Sequence, residues 1–129
     1  MEYKEFKKRY KIEAEIGDIW AALTNPFTIE LWSGYPAIMS AEPGSEFELW
    51  DGDISGMNIE FEENKKIVQE WYFGDQPEKS IVTIKLFEQK KIIEIILEHT
   101  NIPAEDYDDI CLGWNSYYFG AIKEFYEAE

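Results

Sequence analysis

From Tyr3 to Ala14 polar and apolar positions alternate. Glu5, Lys7, Arg9, Lys11 and Glu13 fall on one face, Phe6, Tyr10, Ile12 and Ala14 on the other, and Lys8 is out of step. A period of two predicts a half-buried strand. Asp18 then opens a short helix, Ile19 to Thr24, with Trp20, Ala21 and Leu23 as its apolar contacts. Asn25-Pro26 ends it, because the residue before a proline is driven out of helical dihedrals. A second short helix is expected from Pro26 to Trp32, closed by Ser33-Gly34-Tyr35-Pro36.

Five strand-like runs follow: Glu46 to Trp50, Asp53 to Glu62, Lys66 to Phe73, Ser80 to Glu88 and Lys91 to His99. Phe47 and Leu49 share a face in the first; Met57, Ile59 and Phe61 alternate in the second. Val82, Ile84 and Leu86 do so in the fourth, and Ile93, Ile95, Leu97 and His99 in the fifth. The connections between them are short enough for antiparallel hairpins.

From Asp106 the period changes. Tyr107, Ile110, Trp114, Tyr117, Tyr118, Ala121, Ile122 and Phe125 recur as the apolar face of a helix of about five turns. Gly113 and Gly120 each cost that helix roughly 1 kcal/mol, so close approach to the sheet or to a ligand is expected to offset them. The order is one strand, two short helices, five strands and a long helix. It predicts a single α+β domain over residues 1–129, a six-stranded antiparallel sheet curled around the C-terminal helix.

Charge narrows the partners. Twelve basic against 27 acidic residues give −15, with none of the basic ones between Ile12 and Asn64 or between Ile92 and Ile122. Nucleic acid is not an expected partner, since its binding needs Lys and Arg on phosphates. An anionic membrane surface is not expected either. Met1 to Tyr10 lacks the apolar stretch of a secretory leader, and one cysteine, Cys111, permits no internal disulfide. A cytoplasmic protein is the expectation. Cys111, beside Ile110 and Leu112, reads as a buried small hydrophobe.

Candidate chemistry is sparse. A single histidine excludes a multi-histidine metal site, and there is no Gly-x-Ser-x-Gly elbow or glycine-rich phosphate loop. His99 reads as a hydrogen-bonded structural residue or as a polar anchor at a cavity mouth. Asp51, Asp53, Ser55, Gly56 and Glu62 match the spacing of a calcium loop. Their flanks read as strands rather than helices, so a tight turn into a strand is expected, with no metal. Neither a cofactor nor a catalytic set is expected. The five tryptophans are unusual. They read first as core, but large aromatics and glycines on a helix across a curved sheet can leave an apolar cavity. Trp32, Trp71, His99, Trp114, Tyr117 and Tyr118 are the candidate lining residues.

Phe47-Glu48-Leu49-Trp50-Asp51-Gly52-Asp53-Ile54-Ser55-Gly56 resembles the F-x-L-x-D-G-x-I/V-x-G signature of the C-terminal domain of the activators of heat-shock protein 90 ATPase. Lys66 to Trp71 resembles that family's next strand, and Ser80, Val82 and Thr83 its S-x-V-T. Ile102-Pro103, Gly113-Trp114, Tyr117-Tyr118 and Ile122-Lys123 are similar to its final helix. The likeness runs from Tyr10 to Phe125 and implies the helix-grip fold of the START-like, birch-pollen-allergen-like superfamily. Two-domain activators carry a separate N-terminal domain that contacts the chaperone, for which 129 residues leave no room. The resemblance therefore implies a stand-alone, non-catalytic, stress-related domain whose partner is a hydrophobic small molecule. A chaperone-linked protein-binding module is the second expectation. An enzyme on an apolar or polyketide-like substrate is the third. The oligomeric state is left open.

Overall fold

A computed structural model describes residues 2–127. Strand β1 (Tyr3–Glu13) leads into helices α1 (Ile16–Thr24) and α2 (Pro26–Ser33). Strands β2 (Glu46–Leu49), β3 (Ile54–Glu62), β4 (Lys66–Trp71), β5 (Ser80–Gln89) and β6 (Ile92–Pro103) follow. They form one antiparallel sheet in the order β1-β6-β5-β4-β3-β2. The chain then runs through a 3₁₀ turn (Ala104–Asp106), α3 (Tyr107–Leu112), a π-helical stretch (Gly113–Tyr118) and α4 (Phe119–Glu127). This composite helix packs its Trp114, Tyr118, Phe119 and Ile122 into the same core as the inward faces of the strands. The result is the α+β helix-grip architecture.

Inward parity follows the sequence in β2, β5 and β6, where Phe47, Leu49, Val82, Ile84, Leu86, Ile93, Ile95, Leu97 and His99 are buried. β6 runs on past His99 to Pro103, opposite Tyr3 of β1. Lys8 pairs with Leu97 and so shares the inward parity of β1, yet stays exposed. A charge placed so on an edge strand hinders sheet-to-sheet pairing.

Three expectations are corrected. Helix α1 begins at Ile16 rather than Ile19, after Glu15, and takes Gly17 and Asp18 into its first turn. α2 starts where the Asn25 side chain accepts from the Phe27 and Thr28 amides, and ends at Gly34 with φ +82. In β3 the alternation of Met57, Ile59 and Phe61 fails, because a bulge between Asn58 and Glu60 adds a residue. Gly56 and Asn58 face inward, Ile59 is exposed, and Phe61 returns to the core. A bulge reverses parity in this way.

The third correction concerns the helix. The Phe119 amide bonds to the Trp114 carbonyl, five residues back. One wide turn delays the apolar stripe by about a residue. Phe119, absent from the expected face, is therefore buried and stacks on Trp114 at 5.7 Å and 17°. Tyr117 and Phe125, expected on that face, are 60% and 41% exposed.

Candidate functional site

The β2–β3 hairpin builds one wall of the site. Trp50, Asp51 and Gly52 all have positive φ, at 50, 55 and 93. That is costly for the two non-glycine residues. The turn is pinned by the Asp51 amide on the Pro36 carbonyl and the Asp53 amide on the Trp50 carbonyl. Its effect is to take Trp50 out of the strand and set its ring edge-on to Trp32 (6.1 Å) and Tyr118 (6.0 Å). Across the hairpin Phe47 pairs with Gly56, where a methyl would collide with the Phe47 ring and the Glu70 carbonyl. The glycine of the signature thus makes room for its phenylalanine. Glu62 lies at the far end of β3, roughly 25–30 Å from Asp53 at strand rise. The calcium-loop spacing is a hairpin and a strand.

Between this hairpin, the end of α2 and the composite helix lies a cleft of about 690 Å³, open on one side. Trp32 and Tyr35 come from the α2 end, Trp50, Asp53 and Ile54 from the hairpin, and Trp71 from β4. The helix contributes Asp109, Ile110, Leu112, Gly113, Trp114, Tyr117, Tyr118 and Ala121. Trp71 and Trp114 stack at 4.6 Å and 26°, and Tyr118 leans on both Trp114 (4.6 Å) and Trp32 (5.1 Å).

The indole N–H groups of the three buried tryptophans point away from this space. Trp32 donates to the Ala22 carbonyl at 2.9 Å. Trp71 donates to Gln69 Oε1 at 3.0 Å, and Gln69 Nε2 donates to Asn58 Oδ1 at 2.9 Å. Asn58 in turn donates to the Ser40 carbonyl and to Ser45 Oγ. Trp114 donates to His99 Nδ1 at 3.0 Å. An indole can only donate, so Nδ1 must be the acceptor and Nε2 must carry the proton. Nε2 then donates to Ser80 Oγ (2.8 Å), whose own hydrogen goes to the Thr100 carbonyl (3.0 Å). Every member is satisfied in one direction only. Burial lowers the His99 pKa to about 3, so the ring is neutral at physiological pH. Burial also pushes the Tyr118 phenol well above its usual range.

Of the six residues expected at a cavity, Trp32, Trp71, Trp114, Tyr117 and Tyr118 line the cleft. His99 does not: it is fully buried behind Trp114 and takes the hydrogen-bonded structural role. Cys111, expected as a buried small hydrophobe, is only half-buried, and its partial burial raises its pKa. Trp50, Tyr35, Asp53 and Asp109 were not expected in the lining. Trp50 reads from the sequence as the end of a strand and Asp53 as part of a tight turn. Gly113 meets nothing within 4 Å of an added Cβ, because it faces the open cleft. Gly120 is tight against the Asn115 carbonyl of its own helix, neither sheet nor ligand. No described helix is long and apolar enough to cross a membrane.

The family model for the Activator of Hsp90 ATPase homolog 1-like protein matches residues 13–127. The human activator of 90 kDa heat shock protein ATPase homolog 1 is 29% identical over 109 residues, 83% of this chain and 32% of that protein. The mouse homolog 2 is 26% identical over 117 residues, 89% of this chain and 35% of its own. The chain spans about a third of the length of these curated relatives. Among solved structures, an HSP90 activator from Plasmodium falciparum superposes with a TM-score of 0.86 at 23% identity, covering 94% of both chains. The Aha1 dimer from Colwellia psychrerythraea gives 0.80 at 18%, covering 97% of both.

Proposed function

The chain belongs to the family of Activator of Hsp90 ATPase homolog 1-like proteins, and on that premise we propose that it is a non-catalytic domain binding a hydrophobic small molecule in the helix–sheet cleft. One observation carries the reading. Seven of the fifteen lining residues are aromatic, and the indole N–H groups of the buried tryptophans among them are taken up by partners inside the protein. The volume falls within the range of small-molecule sites. Apolar shape, more than hydrogen-bond geometry, would select the occupant. The non-catalytic part rests on His99, the single imidazole, which is closed off by Trp114 and Ser80 and has no free nitrogen for proton transfer.

Titration with N-phenylnaphthylamine, a neutral apolar fluorophore, tests the reading. Saturable enhancement with a dissociation constant in the micromolar range is expected, with one equivalent bound. Absence of saturable binding up to its solubility limit would contradict it.

A second reading is a co-chaperone-like module that docks on an Hsp90-type chaperone. It is favoured by the names of the relatives and by Tyr35, Leu112 and Tyr117, each more than half exposed at the rim of the cleft. An exposed aromatic rim suits a protein interface as well.

A further inference from the structure

The charge around the cleft is one-sided. Its lining comes from the two stretches that lack any lysine or arginine, apart from Trp71. The ionisable side chains in the described lining, besides tyrosines, are Asp53 on the hairpin wall and Asp109 on the helix wall. Both are exposed, and neither is paired in an ion pair among the described residues. The one basic residue on the composite helix, Lys123, is tied to the Lys11 carbonyl and to Glu127. The aromatic rings add to this field, since a ring face carries negative potential and attracts cations. Trp50, half-buried, and Tyr117, 60% exposed, line the cleft from opposite walls.

We propose that the cleft selects an apolar organic cation, an aromatic or alkyl amine or quaternary ammonium. Its hydrocarbon part lies among the accessible rings of Tyr35, Trp50 and Tyr117, and its charge sits beside Asp53 and Asp109. The inference deepens the small-molecule reading above and rests on it. A neutral ligand gains only the apolar contact. An anion meets two carboxylates and a chain of net charge −15. Opposite charges near a protein surface and a cation against aromatic faces each contribute modestly, together about tenfold in affinity.

Calorimetric titration with naphthylmethylammonium, naphthalenemethanol and naphthoate tests this, because the three share a ring system and differ in charge. The ammonium is expected to bind about tenfold or more tighter than the alcohol, and the naphthoate weakest. In the double variant Asp53→Asn, Asp109→Asn the preference of cation over alcohol should fall below about threefold. Equal affinity for alcohol and ammonium would overturn the cation proposal and leave the apolar cleft standing. A cation preference that survives the double variant would not depend on Asp53 and Asp109 and would also overturn it. If none of the three binds, the cleft reading fails together with the proposal.

Discussion

Trp114 is held by an imidazole that burial keeps neutral at physiological pH. A proton on His99 Nδ1 would face the indole N–H, and burial already disfavours the charge. The folded pKa, about 3, lies below the ordinary histidine value of 6.5. Between those limits the unfolded chain takes up a proton that the folded chain refuses, so stability falls as pH falls. Above pH 6.5 the group costs nothing. Denaturant melts from pH 7 to pH 5 should show a loss approaching about 1.4 kcal/mol per pH unit below about pH 6. The variant His99→Leu, which leaves Trp114 and Ser80 without their partner, should be about 2–4 kcal/mol less stable at pH 7. Its stability should be nearly flat across that window, most of which lies above the range where carboxylates titrate. An equal slope in both proteins would place the titration elsewhere. At this scale the sequence was half legible. The inward parity of His99 could be read from β6. Its two partners could not, because Ser80 and Trp114 come from other elements and only the fold brings them together.

The composite helix shows what periodicity reads and what it misses. Its existence, its length and the role of Trp114 follow from a spacing near 3.6. The wide turn at Gly113–Tyr118 breaks that period once, which brings Phe119 in and leaves Tyr117 and Phe125 more exposed than expected. The bulge in β3 does the same to a period of two. Both are one-residue insertions, and a fixed template applied to the chain runs past them. The two helix glycines register the difference. Gly113 has helical dihedrals (φ −57, ψ −49) and open space at its missing Cβ. Gly113→Ala should therefore raise stability by up to about 1 kcal/mol, through helix propensity. Gly120 sits where the wide turn brings the Asn115 carbonyl against it. Gly120→Ala should lower stability by about 1–3 kcal/mol, despite alanine's better propensity. Thermal or denaturant melts of the two variants check the opposite signs. The same sign for both would remove the wide turn from the account.

At the scale of the whole molecule, the helix-grip fold was readable from the order of elements and from the hairpin signature. The cleft was readable only as an excess of aromatics. Its walls join α2, the β2–β3 hairpin, β4 and the C-terminal helix, segments that lie far apart in the chain. The left-handed turn that swings Trp50 into place has no periodicity to betray it. The site can be plugged with little disturbance to the fold, because Gly113 lies in its wall with nothing opposite. The direct test is the dissociation constant of Gly113→Leu for N-phenylnaphthylamine, measured beside its melting curve. Leucine is a good helix former there and would project into the cleft. The account predicts a protein at least as stable as the parent that binds the probe about tenfold or more weakly. Unchanged affinity in a folded variant would mean that the probe binds elsewhere, and that the aromatic cleft is not the binding site.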